Sequence, residues 1–252
     1  MIFAVVNQKG GVGKTTTAVN TAACVADRGK RVLLVDMDPQ GNATSGAGVL
    51  KNEPEHSVYD VLINDVPAAD VIVHTPTGGL DVLPARLELA GADIELMAVL
   101  SRETKLKKAL EPVAGNYDYI FIDCPPSLGL LTVNVLTAAE RIILPIQCEY
   151  YALEGITQLL RTVDLIRQGL NPTLDIAMIV MTMFDYRTRL SQQVVDEVRS
   201  FFGDKVSPNL VPRNVRLSEA PSHGLPIAAY DSKSKGAQVY GKIAEEVISL
   251  ER

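Results

Sequence analysis

Cysteine, histidine and excess positive charge are all scarce in this sequence, and each shortage removes a class of function. The three cysteines, Cys24, Cys124 and Cys148, are odd in number, far apart and without a CxxC spacing. A disulfide framework or a structural zinc site is therefore not expected, and buried small apolar side chains are the default for Cys24 and Cys148. His56, His74 and His223 stand alone, whereas a zinc centre needs grouped ligands. With 24 Lys+Arg against 30 Asp+Glu the net charge is −6, which argues against a surface that attracts nucleic acid everywhere. No apolar run reaches the ~18 residues of a membrane span. The chain opens on a strand-like run rather than a charged segment followed by a cleavage site, so no signal peptide is expected and a cytoplasmic location is. Internal repeats, low-complexity tracts and charged tails are also missing.

What is present is an alternation. At 252 residues, 47% hydrophobic and 21% charged, the chain suits one globular α/β domain, here taken as residues 1–252. Strands are expected at Ile2–Asn7, Arg31–Asp36, Leu80–Pro84, Tyr117–Cys124, Arg141–Gln147 and Asp175–Thr182. Several are continuous apolar runs, which fits strands covered by helices on both faces. After a first helix ending near Arg28, helical patterns cover Leu87–Leu100, Glu103–Val113, Leu128–Ala139, Leu153–Gln168, Leu190–Phe202 and Lys235–Leu250. The order predicts a doubly wound, mainly parallel sheet of about seven or eight strands with helices on both faces. Residues 39–56, rich in Gly, Asn, Ser and Pro, read as a mobile loop.

The first strand runs straight into Gln8-Lys9-Gly10-Gly11-Val12-Gly13-Lys14-Thr15-Thr16-Thr17. Glycines let backbone N–H groups wrap an oligophosphate, a lysine adds a point charge, and a threonine hydroxyl reaches Mg²⁺ at the head of a helix. The ordinary phosphate-loop pattern asks for glycine at position 8. This chain has Gln8 there and an extra lysine, Lys9, before the glycines.

Carboxylates close two other strands: Asp36 and Asp38 after Val32-Leu33-Leu34-Val35, and Asp123 after Tyr119-Ile120-Phe121-Ile122. Ligands of open parallel sheets bind at that edge, and an acid there stands near bound Mg²⁺ in nucleoside triphosphatases. One such acid alone is equally well a helix cap or a turn former. From Asp185 to Lys242 there are nine Lys/Arg and six Asp/Glu, a local charge of +3 (9 − 6) within a chain of −6.

The segments KGGVGKTTT, LLVDMDPQGN, IFIDCPPSLG, EYYALEG and VPRNVRLSEAPSHG, with MFDYRTRLSQQV, together resemble the ParA/Soj family of chromosome- and plasmid-partitioning ATPases. That family belongs to the deviant Walker A class of P-loop NTPases, and the likeness spans nearly the whole chain. It implies an ATP- and Mg²⁺-dependent ATPase. Gly10, Gly11, Val12 and Gly13 would supply the cradle, Lys14 would meet the β- and γ-phosphates, and Thr16 would approach the α-phosphate. Thr15 and Asp123 would hold Mg²⁺, Asp38 would orient the attacking water, and Pro212 and Asn214 would close around the base. Lys9 matches the lysine that reaches the partner subunit's nucleotide, which implies an ATP-dependent homodimer. Arg187 and Arg216 match basic positions used on non-specific double-stranded DNA, with Arg189, Lys233 and Lys235 as neighbours. A ParB/Spo0J-type partner and a nucleoid-associated location are implied by the resemblance only.

Two other readings share the nucleotide motifs. A MinD-like membrane-cycling regulator ends in a basic amphipathic helix, whereas this chain's last helical pattern carries Glu245, Glu246 and Glu251 and reads as a core-packed helix. An iron–sulfur reductase or an ATP-dependent synthase uses the same scaffold. The reductase needs paired cysteines beside the nucleotide, and Cys124 lacks that setting.

Overall fold

The computed structural model describes residues 1–149 and 156–250. Seven strands form one sheet: β1 (Ile2–Val5), β2 (Val32–Asp36), β3 (Val73–His74), β4 (Leu80–Leu83), β5 (Tyr119–Asp123), β6 (Arg141–Gln147) and β7 (Asp175–Thr182), in the order β3-β4-β2-β5-β1-β6-β7. Every pairing is parallel except β3 with β4. Helices α1 (Lys14–Ala26), α2 (Asn42–Gly46), α3 (Val58–Ile63), α4 (Ala68–Val71), α5 (Leu89–Glu95) and α6 (Lys105–Ala114) fill the first half. The second half carries α7 (Leu130–Ala138), α8 (Ile156–Gly169), α9 (Arg189–Phe202), α10 (Val215–Glu219), α11 (Ile227–Tyr230) and α12 (Lys235–Ser249).

Alternation along each strand divides the core in two. Phe3 and Val5 of β1, Val32 and Leu34 of β2, and Tyr119 and Phe121 of β5 pack with α1 and α12. Ala4, Leu33, Val35, Ile120 and Ile122 pack on the other face, under α3 through α9. Both faces are dry, so β2 is buried along its whole length, as parallel strands between helix layers require. Phe3 and Phe121 stack at 5.4 Å between centroids and hold β1 against β5.

All six expected strands are present, and the described strands number seven. The addition, β3, has two residues and is too short for a periodic signal. The pattern over Leu87–Leu100 yields a shorter helix, α5, continued by a 3₁₀ turn at Leu96–Ala98. Val99 is extended and Ser101 is left-handed (φ 55°), which ends it. Residues 39–56 are not a continuous loop: α2 forms there, fastened to β2 as described below. The expected helix start at Leu153 lies outside the described residues, and α8 continues from Ile156.

Candidate nucleotide site

The phosphate loop leaves the central strand β1 and returns as α1. Gly11 and Gly13 take φ values of 74° and 91°, a region that side chains enter only with strain. The loop is fastened on three sides. Asn7 Nδ2 donates to the Pro145 carbonyl (2.8 Å), the Lys9 N–H to Asn7 Oδ1 (3.0 Å), and Thr182 Oγ1 to the Val12 carbonyl (2.7 Å). No side chain caps α1 at Gly13, so its first N–H groups face the crevice with the helix's positive end, an arrangement suited to phosphate.

Lys14 is buried at the head of this helix, and its Nζ donates to the Lys9 carbonyl at 3.1 Å. Burial lowers its pKa, opposed by the nearby Asp123, Cys124 and Asp38. Asp123 is fully buried, and among the described residues neither of its oxygens makes a hydrogen bond of ordinary geometry. Burial pushes its pKa well up and the neighbouring Asp36 adds to this, while the Thr15 hydroxyl and Lys14 favour the charged form. An unpartnered buried carboxyl beside a threonine hydroxyl fits a hard divalent cation such as Mg²⁺, which takes few protein oxygens and keeps the rest for water and phosphate.

Asp36 lies opposite Asp123 on the neighbouring strand and has a different task. Its Oδ2 accepts from the Thr44 N–H and hydroxyl, both at 2.7 Å, and its Oδ1 from the Asp38 N–H at 3.1 Å. The same Thr44 hydroxyl accepts from the Ala85 N–H at 3.0 Å. Burial raises the Asp36 pKa to about 6, against the lowering effect of these donors. Asp38, half-buried at the mouth, is thus hung from a buried anchor. Lys51 straps the turn beyond it, with Nζ on the Gln40 carbonyl and 3.3 Å from Asn42 Oδ1.

A cavity of about 610 Å³ adjoins Gly13 and Thr16 and is lined also by Met183, Arg187, Pro212 and Asn214. Pro212 and Asn214 therefore reach the same crevice as the phosphate loop. The Asn214 oxygen is already engaged, accepting from the Arg216 N–H as the cap of α10 (2.9 Å). Arg187 lines the cavity but is held by Asp185 (2.8 Å). Arg216 points to Glu219 (2.9 Å) and Asp231 (3.7 Å). Lys9, on the outer lip, lies 3.4 Å from Glu149, which also neighbours Arg213 at 3.6 Å. The rest of the EYYALEG segment, residues 150–155, lies outside the described residues.

Known proteins share this sequence and this fold. Residues 1–176 match the family model described as an AAA domain. The sporulation initiation inhibitor protein Soj of Bacillus subtilis is 59% identical, over 98% of this chain and 97% of that protein. The chromosome partitioning protein ParA of Caulobacter vibrioides is 51% identical, over 100% and 95%. The chain belongs to the Soj/ParA family of chromosome-partitioning ATPases. A solved structure named cobyrinic acid a,c-diamide synthase, from Mycobacterium smegmatis with a bound ATP analogue and magnesium, is 40% identical with a TM-score of 0.86, covering 98% of this chain and 93% of its own.

Sequence reasoning missed several residues of this Soj/ParA site. Thr44, eight positions after Asp36, Thr182 at the end of β7, and Tyr240, whose hydroxyl lies 3.2 Å from Thr17 Oγ1, carry no motif. Glu149 and Arg213 stand inside quoted motifs, but their meeting with Lys9 depends on the fold. Only Thr44 left a trace, as a hydroxyl residue in a polar segment just beyond a strand-end acid.

Proposed function

We propose that this chain is an ATP-driven partition switch that works in segregating a chromosome or plasmid. Two copies close on two ATP·Mg²⁺, the closed dimer holds double-stranded DNA without reading its sequence, and a ParB/Spo0J-type partner resets it by stimulating hydrolysis. The observation that carries this reading is the buried Asp123 carboxyl, unpartnered beside Thr15 and Lys14 at the head of an uncapped helix. Phosphoryl transfer needs positioning and charge neutralisation more than covalent help. Mg²⁺ supplies that neutralisation when bound, with Thr15 and Asp123 holding it. Gly10, Gly11, Val12 and Gly13 cradle the phosphates, Lys14 meets the outer ones, and Thr16 serves the inner one. Asp38 orients water on its Asp36 anchor, and Pro212 and Asn214 enclose the base. Lys9 sits on the lip rather than in the crevice, which suits a role across a subunit seam. Dimerisation then doubles a basic rim of Arg187, Arg213 and Arg216, making contacts to phosphates only.

The test is DNA binding with ATP, ADP and no nucleotide across a salt series, beside sizing of Asp38→Ala and Lys14→Ala. Affinity should be strongest with ATP and fall steeply with salt. Asp38→Ala should persist as an ATP-bound dimer and Lys14→Ala should bind no ATP. DNA binding unaffected by Lys14→Ala, or an Asp38→Ala protein that stays monomeric with ATP, would refute the coupling. The 40% identical synthase structure suggests a second reading, an ATP-dependent synthase, for which ATP should not raise DNA affinity at all. In the described residues no helix is long and apolar enough to cross a membrane. α12 buries Tyr240, Ile243 and Val247 in the core, which gives a MinD-like membrane role no support from that helix.

A further inference from the structure

Helix α5, together with the turns that flank it, is apolar on two sides, and only one of them is used by the core. Leu89, Ala92 and Leu96 are fully buried. On the other side Leu87, Ile94, Met97 and Leu100 are 70%, 72%, 60% and 93% exposed, with Ala90 and Ala98 also exposed between them. Positions 87, 90, 91, 94, 97 and 98 recur at three- and four-residue steps and line one side of the turn before α5, of α5 itself and of the 3₁₀ turn that continues it. Ala90 and Gly91 lie between the bulky Leu87 and Ile94, and the Glu95 carboxylate folds beside Gly91, where a Cβ would lie 2.9 Å from Oε1. An open stripe of this kind is the geometry of a helix-docking face.

Charge says what kind of helix. From Leu87 to Leu100 the chain has three acids, Glu88, Asp93 and Glu95, and no base. The flanking arginines are engaged locally, Arg86 with Glu88 (3.6 Å) and Arg102 with Glu103 (3.1 Å). A second copy placed face to face here would set acids against acids, at a cost. A helix with an apolar stripe between lysines and arginines would meet opposite charge.

The position of α5 connects this face to the site. Asp93 Oδ1 accepts from the Leu131 N–H at 3.0 Å, and the Gly129 backbone packs so closely that a Cβ there would lie 2.7 Å from Asp93 Oδ2. The segment so held is the one that follows Asp123. At the other end, Ala85 is bonded to Thr44, the residue that clamps Asp36. A ligand on α5 thus bears on both loops that carry the acids of the site.

We propose that the stripe Leu87–Ile94–Met97 docks a cationic amphipathic helix of the stimulating partner, and that stimulation passes through Asp93 to the loop after Asp123. This rests on the partitioning reading above. The test measures ATP hydrolysis by the intact protein, with DNA, with and without the purified ParB/Spo0J-type protein of the same genome. The variants are Ile94→Glu, Met97→Glu and Glu95→Lys, each checked by circular dichroism and light scattering. The partner-stimulated rate should fall by about tenfold or more, the scale of losing one central anchor. Basal hydrolysis, ATP affinity and the ATP-dependent dimer should stay within about twofold, and the Glu95→Lys loss should be larger at low salt. Full stimulation of both apolar variants would overturn the docking face, and loss of the dimer would assign the stripe to a second copy instead. If the unaltered protein is not stimulated at all, the partitioning reading itself fails, and that control arm tells the two failures apart.

Discussion

Gly13 holds φ 91° immediately before Lys14, and a Cβ built there would meet Thr182 Cγ2 at 3.6 Å. Space is therefore available, and backbone conformation is the obstacle. A left-handed non-glycine residue costs about 1–2 kcal/mol, so Gly13→Ala should destabilise the chain by roughly that much in denaturant unfolding. Calorimetric titration should show a far larger loss in ATP binding, since the residue sets the aim of the loop's N–H groups. Thr182 acts on the same loop from β7. Thr182→Val keeps its shape and leaves the buried Val12 carbonyl without its donor, at a cost of about 1–3 kcal/mol. At this scale the glycines and Lys14 are legible in the sequence, because chemistry requires those residue types at that spacing. Thr182 is not, since any strand-end threonine looks the same until the fold brings it 2.7 Å from Val12.

Two strand ends bring Asp36 and Asp123 side by side, and their burial has a consequence in pH. The Asp36 carboxyl titrates near 6 when folded, above the ordinary 3.8, and Asp123 is shifted the same way. The folded chain therefore keeps protons that the unfolded chain has released. The stability this contributes is fully present below the unfolded value and is lost as pH rises through about 6. The Tm of the nucleotide-free protein should fall between about pH 5 and pH 7.5, and Asp123→Asn should shrink that fall. A Tm that rises over this range would contradict the assignment. Elements with strong periodicity were legible: six strands and the long helices follow from apolar spacing alone. The polar segment after Asp36 was not. It reads as a loop because α2 has five residues and its hold, the bond from Thr44 to a buried carboxylate, is tertiary.

Across the whole molecule, two apolar layers trap one sheet, and the closing helix α12 completes the layer over β1 and α1. Ile243 is fully buried there. Ile243→Ala should cost about 2–5 kcal/mol, lowering Tm by roughly 5–15 °C in a chain of this size, with no change in ATP affinity beyond that explained by unfolding. The basic rim belongs to this scale as well. Arg187 lines the nucleotide cavity, Arg216 lies beyond it, and Arg213 borders both neighbouring hollows, so a patch spread along the sequence becomes one edge only when the chain folds. Surface-exposed arginines leave no periodic trace, and the acid nearest Arg213, Glu149, is distant in sequence, which is why Arg213 went unread beside its neighbours.

The phosphate loop, the parallel α/β order and the acids at the strand ends can be read from the order of residues alone. Apolar periodicity and the residue types demanded by phosphate and cation chemistry are local properties that survive in one dimension. Folding is what makes Asp36 an anchor while Asp123 has no hydrogen-bond partner among the described residues, brings Lys9 to Glu149, and leaves Leu87, Ile94 and Met97 exposed around α5. Each of these depends on which side chains converge from distant positions, and convergence is a property of packing that spacing along the chain does not record.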